Sequence, residues 1–130
     1  MNTIVSRFVG TGAFFLLIFL TGFWLSRSGK PYSTALFSAH KLIALAAVAF
    51  LVVMIVRLNR SAPLQPAQIA AIAVTAVCLL ATIITGGMAN LPAPAIVRSI
   101  HHVTPFLSLL STAVTLYLLF ARSGPGLPVT

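Results

Sequence analysis

"SAHKLIAL" at residues 38–45 and "SIHHVTPF" at residues 99–106 open two apolar runs in the same way, with Ser, one residue, then His. Read backwards from each, the preceding apolar run ends on Thr-Gly. It is "LTGFW" at Leu20 to Trp24 before the first histidine and "ITGGM" at Ile84 to Met88 before the second. Thr21-Gly22 with Ser38 and His40 is thus answered by Thr85-Gly86 with Ser99 and His101. The chain reads as two copies of a helical hairpin, each with Thr-Gly near the end of one helix and His near the start of the next. The alignment makes His101 the counterpart of His40 and sets His102 opposite Lys41.

Composition supplies the solvent for these helices. Of 130 residues, 59% are hydrophobic and 6% charged, and the mean hydropathy is +1.09. A water-soluble domain carries roughly 25% charged residues. The medium that suits this chain is lipid. There is no Asp or Glu, and the formal net charge is +8. The eight Lys and Arg form no patch; they punctuate the apolar runs as loop and snorkelling residues do, which argues against a nucleic-acid partner. Cys78 stands alone inside an apolar run and makes neither an internal disulfide nor a thiolate metal site. With no carboxylate, a Ser-His-Asp arrangement and a paired-carboxylate hydrolase are excluded.

Four helices are expected, over about 5–25, 33–58, 66–88 and 95–121, with a polar tail over 122–130. The first is too long for a signal-peptide core and lacks a clean cleavage site. Pro31 and Ser33 mark the start of the second, and Pro66 that of the third. Short connections imply one domain, an antiparallel all-α four-helix bundle spanning a membrane, with lipid as its surroundings.

In that topology helices 2 and 4 start at the same side of the membrane, where helices 1 and 3 end. His40 and His101 therefore share a depth with Gly22 and Gly86. A glycine lets something approach the backbone closely, either another helix or a flat ligand. The positions below His101 on its face are Thr104, Pro105, Ser108 and Thr112; below His40 lie Ile43, Ala44, Ala47 and Leu51. Small residues such as Ala44 and Ser108 are expected to leave room for a macrocycle, although membrane helices also pack through such residues.

Two opposed neutral imidazoles suit haem iron, which takes its axial ligands along one axis. Zinc asks for three or four protein ligands, and copper would draw in Met88. One haem b is the expected cofactor, on His40 and His101, with His102 and Met88 as reserve ligands. Lys41 and Arg98, with Arg27 and Lys30 nearby, are candidate partners for the anionic propionates. Interfacial snorkelling is the other reading of the same cations.

On "AHKL" at His40 and "IHHV" at His101, within one hairpin repeat, the chain resembles the four-helix transmembrane b-type cytochromes grouped around cytochrome b561. The resemblance is architectural and covers roughly residues 5–121. It implies haem b held between histidines of different helices, and electron exchange with quinol, ascorbate or a partner redox protein. Two-haem members place a second histidine pair near the opposite face. Here no histidine lies near Arg57, Arg60 or Arg122, so a single-haem variant is expected, without electron passage across the whole bilayer.

The competing readings are a small non-haem structural or assembly subunit, and a small transporter or channel subunit. Intramembrane ionisable residues mark ion paths, and this chain offers none beyond its histidines. The expected location is a multi-pass one in a bacterial inner membrane, and a homodimer is compatible with it. The positive-inside count is tied, Arg7, Arg57, Arg60 and Arg122 against Arg27, Lys30, Lys41 and Arg98. Assigning Lys41 and Arg98 to propionates tips it to an inside N-terminus, with the haem toward the outside.

Overall fold

The computed structural model describes residues 3–121, so Arg122 and the tail expected over 122–130 lie outside the described residues. Four helices run α1 (Thr3–Ser28), α2 (Thr34–Ser61), α3 (Pro66–Met88) and α4 (Ala95–Phe120). The fold is an all-α four-helix bundle.

Local chemistry accounts for the boundaries. Helix α1 continues to Ser28 because nothing breaks it before Gly29, whose φ of 69° is a left-handed turn that glycine adopts without strain. At the start of α2 the Ser33 hydroxyl accepts from the Leu36 N–H at 3.5 Å. That helix runs to Ser61, beyond the expected 58, and stops where Ala62 turns extended, the conformation favoured just before a proline such as Pro63. Pro66 opens α3 inside a reciprocal pairing of Gln65 and Gln68.

Each helix is long and apolar enough to cross a membrane. Even the shortest, α3, extends about 35 Å at 1.5 Å per residue, against a hydrocarbon core of about 30 Å. Large apolar side chains such as Leu42, Val77 and Leu110 face outward, as a multi-pass membrane protein requires. Helix α4 is the best covered: 39% of its most apolar window is buried, against 6% for α3.

Packing divides the bundle into two hairpins, α1 with α2 and α3 with α4. The α3–α4 seam is stitched by polar contacts. Gln68 Nε2 donates to the Leu118 carbonyl at 3.0 Å, the Thr75 and Thr115 hydroxyls meet at 2.9 Å, and those of Thr82 and Ser108 at 3.1 Å. Residues 68, 75 and 82 are seven apart, so they fall on one face of α3. The α1–α2 seam is held mainly by apolar contact: the Phe14 and Phe50 rings lie 5.5 Å apart, and Gly10 makes room for Phe50. The hairpins join along α1 and α4 through Phe19 with Phe106 and Phe8 with Phe120. Leu51, Met54, Leu116, Leu119 and Phe120 close one end as a core cluster. The other end, where α2 and α4 begin, stays hollow.

Leu116 and Tyr117 are adjacent yet 3% and 68% exposed. Leu116→Ala should therefore lower the free energy of unfolding by about 2–4 kcal/mol, read by denaturant titration in detergent micelles. Tyr117→Ala should change it by less than about 1 kcal/mol. Equal losses would mean that α4 presents a different face to its neighbours.

Candidate functional site

The antiparallel α1–α2 hairpin lays the His40 ring over Gly22. A Cβ at Gly22 would stand 3.2 Å from His40 Cε1. The Thr21 hydroxyl, one residue earlier, reaches His40 Nδ1 at 2.8 Å. The second hairpin repeats the arrangement. A Cβ at Gly86 would stand 2.6 Å from His101 Cε1, and Thr85 Oγ1 lies 3.2 Å from His101 Nδ1. His101 Nδ1 is also 3.1 Å from the Thr82 carbonyl oxygen.

These contacts decide the tautomers. A carbonyl only accepts, so His101 Nδ1 carries the proton that it donates to Thr82. Thr21 Oγ1 has one proton, and its short contact to the Leu17 carbonyl at 2.7 Å uses it. That hydroxyl oxygen then accepts from His40 Nδ1–H. Thr85 spends its proton in the same way on Ala81 O at 2.7 Å. Both rings are thus held by Nδ1–H, leaving Nε2 unprotonated as the free lone pair. A metal-ligating histidine is oriented in this fashion, its second nitrogen donating to an oxygen.

Both half-buried imidazoles line one cavity of about 560 Å³ at the hollow end. Helix C-termini from α1 and α3 and N-termini from α2 and α4 enclose it. Ile18, Leu45 and Ile83 give it apolar walls, and Lys30, Lys41 and Arg98 bring positive charge. Lys41 Nζ rests 4.2 Å from the Phe37 ring centroid, and Lys30 Nζ is 3.4 Å from the Leu91 carbonyl oxygen. Arg27 sits outside the lining, over the Phe23 ring at 5.2 Å.

The residues singled out from sequence are distributed unevenly around this cavity. His40, His101, Ala44, Lys41, Arg98, Gly22 and Gly86 all line it, as does the exposed His102. The space beside each glycine, expected to serve a macrocycle, is taken first by the imidazole of the neighbouring helix. Ser108 is 1% exposed and does not itself line the cavity; its hydroxyl meets that of the lining residue Thr82 at 3.1 Å in the α3–α4 seam. Met88, the last residue of α3, is outside the lining as well. Thr21, Thr85 and the Thr82 carbonyl, which orient the rings, escaped sequence reasoning; the recurrence of Thr before Gly was the available signal for the first two.

Among the described residues no three His, Cys, Asp or Glu side chains gather as a metal-ion cage requires. Two imidazoles with free Nε2 atoms suit a centre that brings its other ligands with it.

The geometry has a direct spectroscopic consequence. In ¹⁵N NMR of the ligand-free protein, His40 and His101 should both show a protonated Nδ1 and a bare Nε2. Gly86→Ala should disturb His101 more than Gly22→Ala disturbs His40. The added methyl comes closer at Gly86, and its ring, tied to both Thr82 and Thr85, has less freedom to yield. A protonated Nε2 on either ring would contradict the assignment.

No family model, curated protein or solved structure matches this chain.

Proposed function

We propose that this protein is a membrane b-type cytochrome that binds one haem b between Nε2 of His40 and Nε2 of His101. It exchanges single electrons with a quinol or a partner redox protein. The observation that carries this reading is the pair of matching tautomers: two imidazoles from different hairpins, each with Nδ1–H tied to an oxygen and Nε2 left bare, line one cavity. The group fits the residues present. His40 and His101 would supply its two nitrogen ligands, Ile18, Leu45 and Ile83 its apolar surroundings, and Lys41, Arg98 and Lys30 positive charge for its anionic groups.

Bound there, the haem supplies a one-electron iron couple. The chain's own residues do the rest. Thr21, Thr85 and the Thr82 carbonyl would fix the orientation of the imidazoles. The apolar walls would limit water, and Lys41 and Arg98 would hold the propionates. With no acid in the chain, no protein carboxylate favours the more positive oxidised iron. A low-dielectric bundle disfavours that extra charge as well, which raises the midpoint potential into the reach of quinol-level donors. The bacterial inner membrane is the location proposed for this activity.

Purified protein should be red, with a Soret band that shifts on reduction. His40→Ala and His101→Ala should each abolish stable haem retention, while His102→Ala keeps most of it. A colourless protein after expression with ample haem would sink the reading and leave a structural or assembly role.

Arg98→Gln removes one positive charge at the mouth and should lower the midpoint potential by about 30 mV, half a decade in a one-electron equilibrium, or loosen the haem. If a redox titration finds neither effect for Arg98→Gln nor for Lys41→Gln, the two cations are interfacial anchors.

A further inference from the structure

Helices α2 and α3 pack loosely, and the gap between them joins the histidine cavity at Ile83. Leu45, Val48 and Val52 of α2 line one side of it, and Ile83, Leu80 and Ala76 of α3 the other. Successive members on each helix are three or four residues apart, so each set forms one stripe. Lys41 heads the first stripe and Gly87 the second. A side chain at Gly87 would meet nothing within 4 Å. Leu45, Val52, Ala76 and Leu80 are exposed, so the trough lies open to lipid along its length.

Its two ends differ in charge. The lower part, about 250 Å³, is lined by no charged side chain among the described residues. The upper part carries Lys30, Lys41 and Arg98, with the hydroxyl residues Ser26 and Tyr32 in the same lining. Lys30 Nζ lies 3.4 Å from the carbonyl oxygen of Leu91, just past the end of α3 at Met88. Lys41 stands about two turns into α2. These cations repel one another, and the chain contains no carboxylate to separate them. An anion among them offsets that repulsion.

Position and length narrow the choice of anion. The cations gather where α2 begins and α3 ends, which in a membrane is the level of the lipid phosphates. From Lys41 to Val52 the stripe runs about 17 Å at 1.5 Å per residue. One leaflet contributes about 15 Å of hydrocarbon to a membrane core. A cationic head site joined to an apolar channel one lipid chain long suits an anionic amphiphile of the bilayer itself.

We infer that the chain binds one anionic phospholipid, with its phosphate among Lys30, Lys41 and Arg98. One acyl chain lies in the α2–α3 trough and the other stays in the bilayer. A haem's pair of propionates would leave one of these three cations over, so the site does not depend on the haem reading.

The test uses the full chain in detergent, with native mass spectrometry counting bound lipid. Haem-loaded and haem-free chains differ in mass, so lipid is scored on each separately. The probes are dioleoylphosphatidylglycerol, dioleoylphosphatidylcholine and oleate. One phosphatidylglycerol should bind per chain, about tenfold more tightly than phosphatidylcholine. Lys30→Gln combined with Lys41→Gln should abolish that preference, and Lys30→Arg combined with Lys41→Arg should keep it. Ala76→Trp, which fills the trough, should weaken both phospholipids alike. Binding to haem-free chains alone upholds the site and makes haem and lipid competitors. A protein that never carries haem leaves the lipid measurement intact. Equal affinity for the two phospholipids, a preference that survives the double Gln variant, or oleate binding as tightly as phosphatidylglycerol overturns the assignment. So does undiminished binding in a folded Ala76→Trp protein. Should that variant fail to fold, the Gln and Arg variants decide the matter by themselves.

Discussion

A buried imidazole N–H in a membrane has no water to turn to, and the hydrogen bonds that satisfy it govern this molecule. In each hairpin a threonine hydroxyl accepts from Nδ1 while the adjacent glycine gives the ring somewhere to lie. One short motif thereby sets three things. It fixes how far two antiparallel helices are rotated against each other, brings both rings to the same end of the bundle, and leaves one nitrogen of each ring unbonded. Without the glycine notch the ring would stand away from the partner helix. Without the hydroxyl, His40 would keep its N–H unsatisfied or flip to the other tautomer.

The absence of carboxylates shapes everything around that motif. Cations in ordinary proteins find acidic partners; here they find ring faces and carbonyl oxygens instead. Arg7 lies over Phe120, Arg27 over Phe23, Lys41 over Phe37, and Lys30 between Tyr32 and the Leu91 carbonyl. These contacts compensate charge without neutralising it. The cavity mouth stays positive, and Arg98 takes neither ring nor carbonyl among the described residues.

Much of this was legible in the residue order because two strong signals act locally. Hydropathy alone delimits four spans, since hydrocarbon tolerates few polar side chains, and the recurrence of Thr-Gly with Ser-x-His pairs His40 with His101. What escaped depends on which atoms fill a given space. Gly22 and Gly86 announce a missing side chain but not its beneficiary, which proved to be an imidazole one helix away. Ser108 shares a face with His101, yet that face turns from cavity to seam within two turns as Thr82 of α3 covers it. The Thr82 carbonyl left no mark at all, because backbone atoms are the same at every position.

The two seams differ in a way that gives the halves of the molecule different mechanical characters. Sliding α3 past α4 by one turn would strand the Gln68, Thr75, Thr82 and His101 partners together. Sliding α1 past α2 costs one comparable bond, that of Thr21 with His40, and otherwise moves rings over rings. One jaw of the cavity is bolted and the other floats. A cavity made this way has a fixed reference surface and an adjustable one, so the gap between its two imidazoles can change without undoing the polar seam.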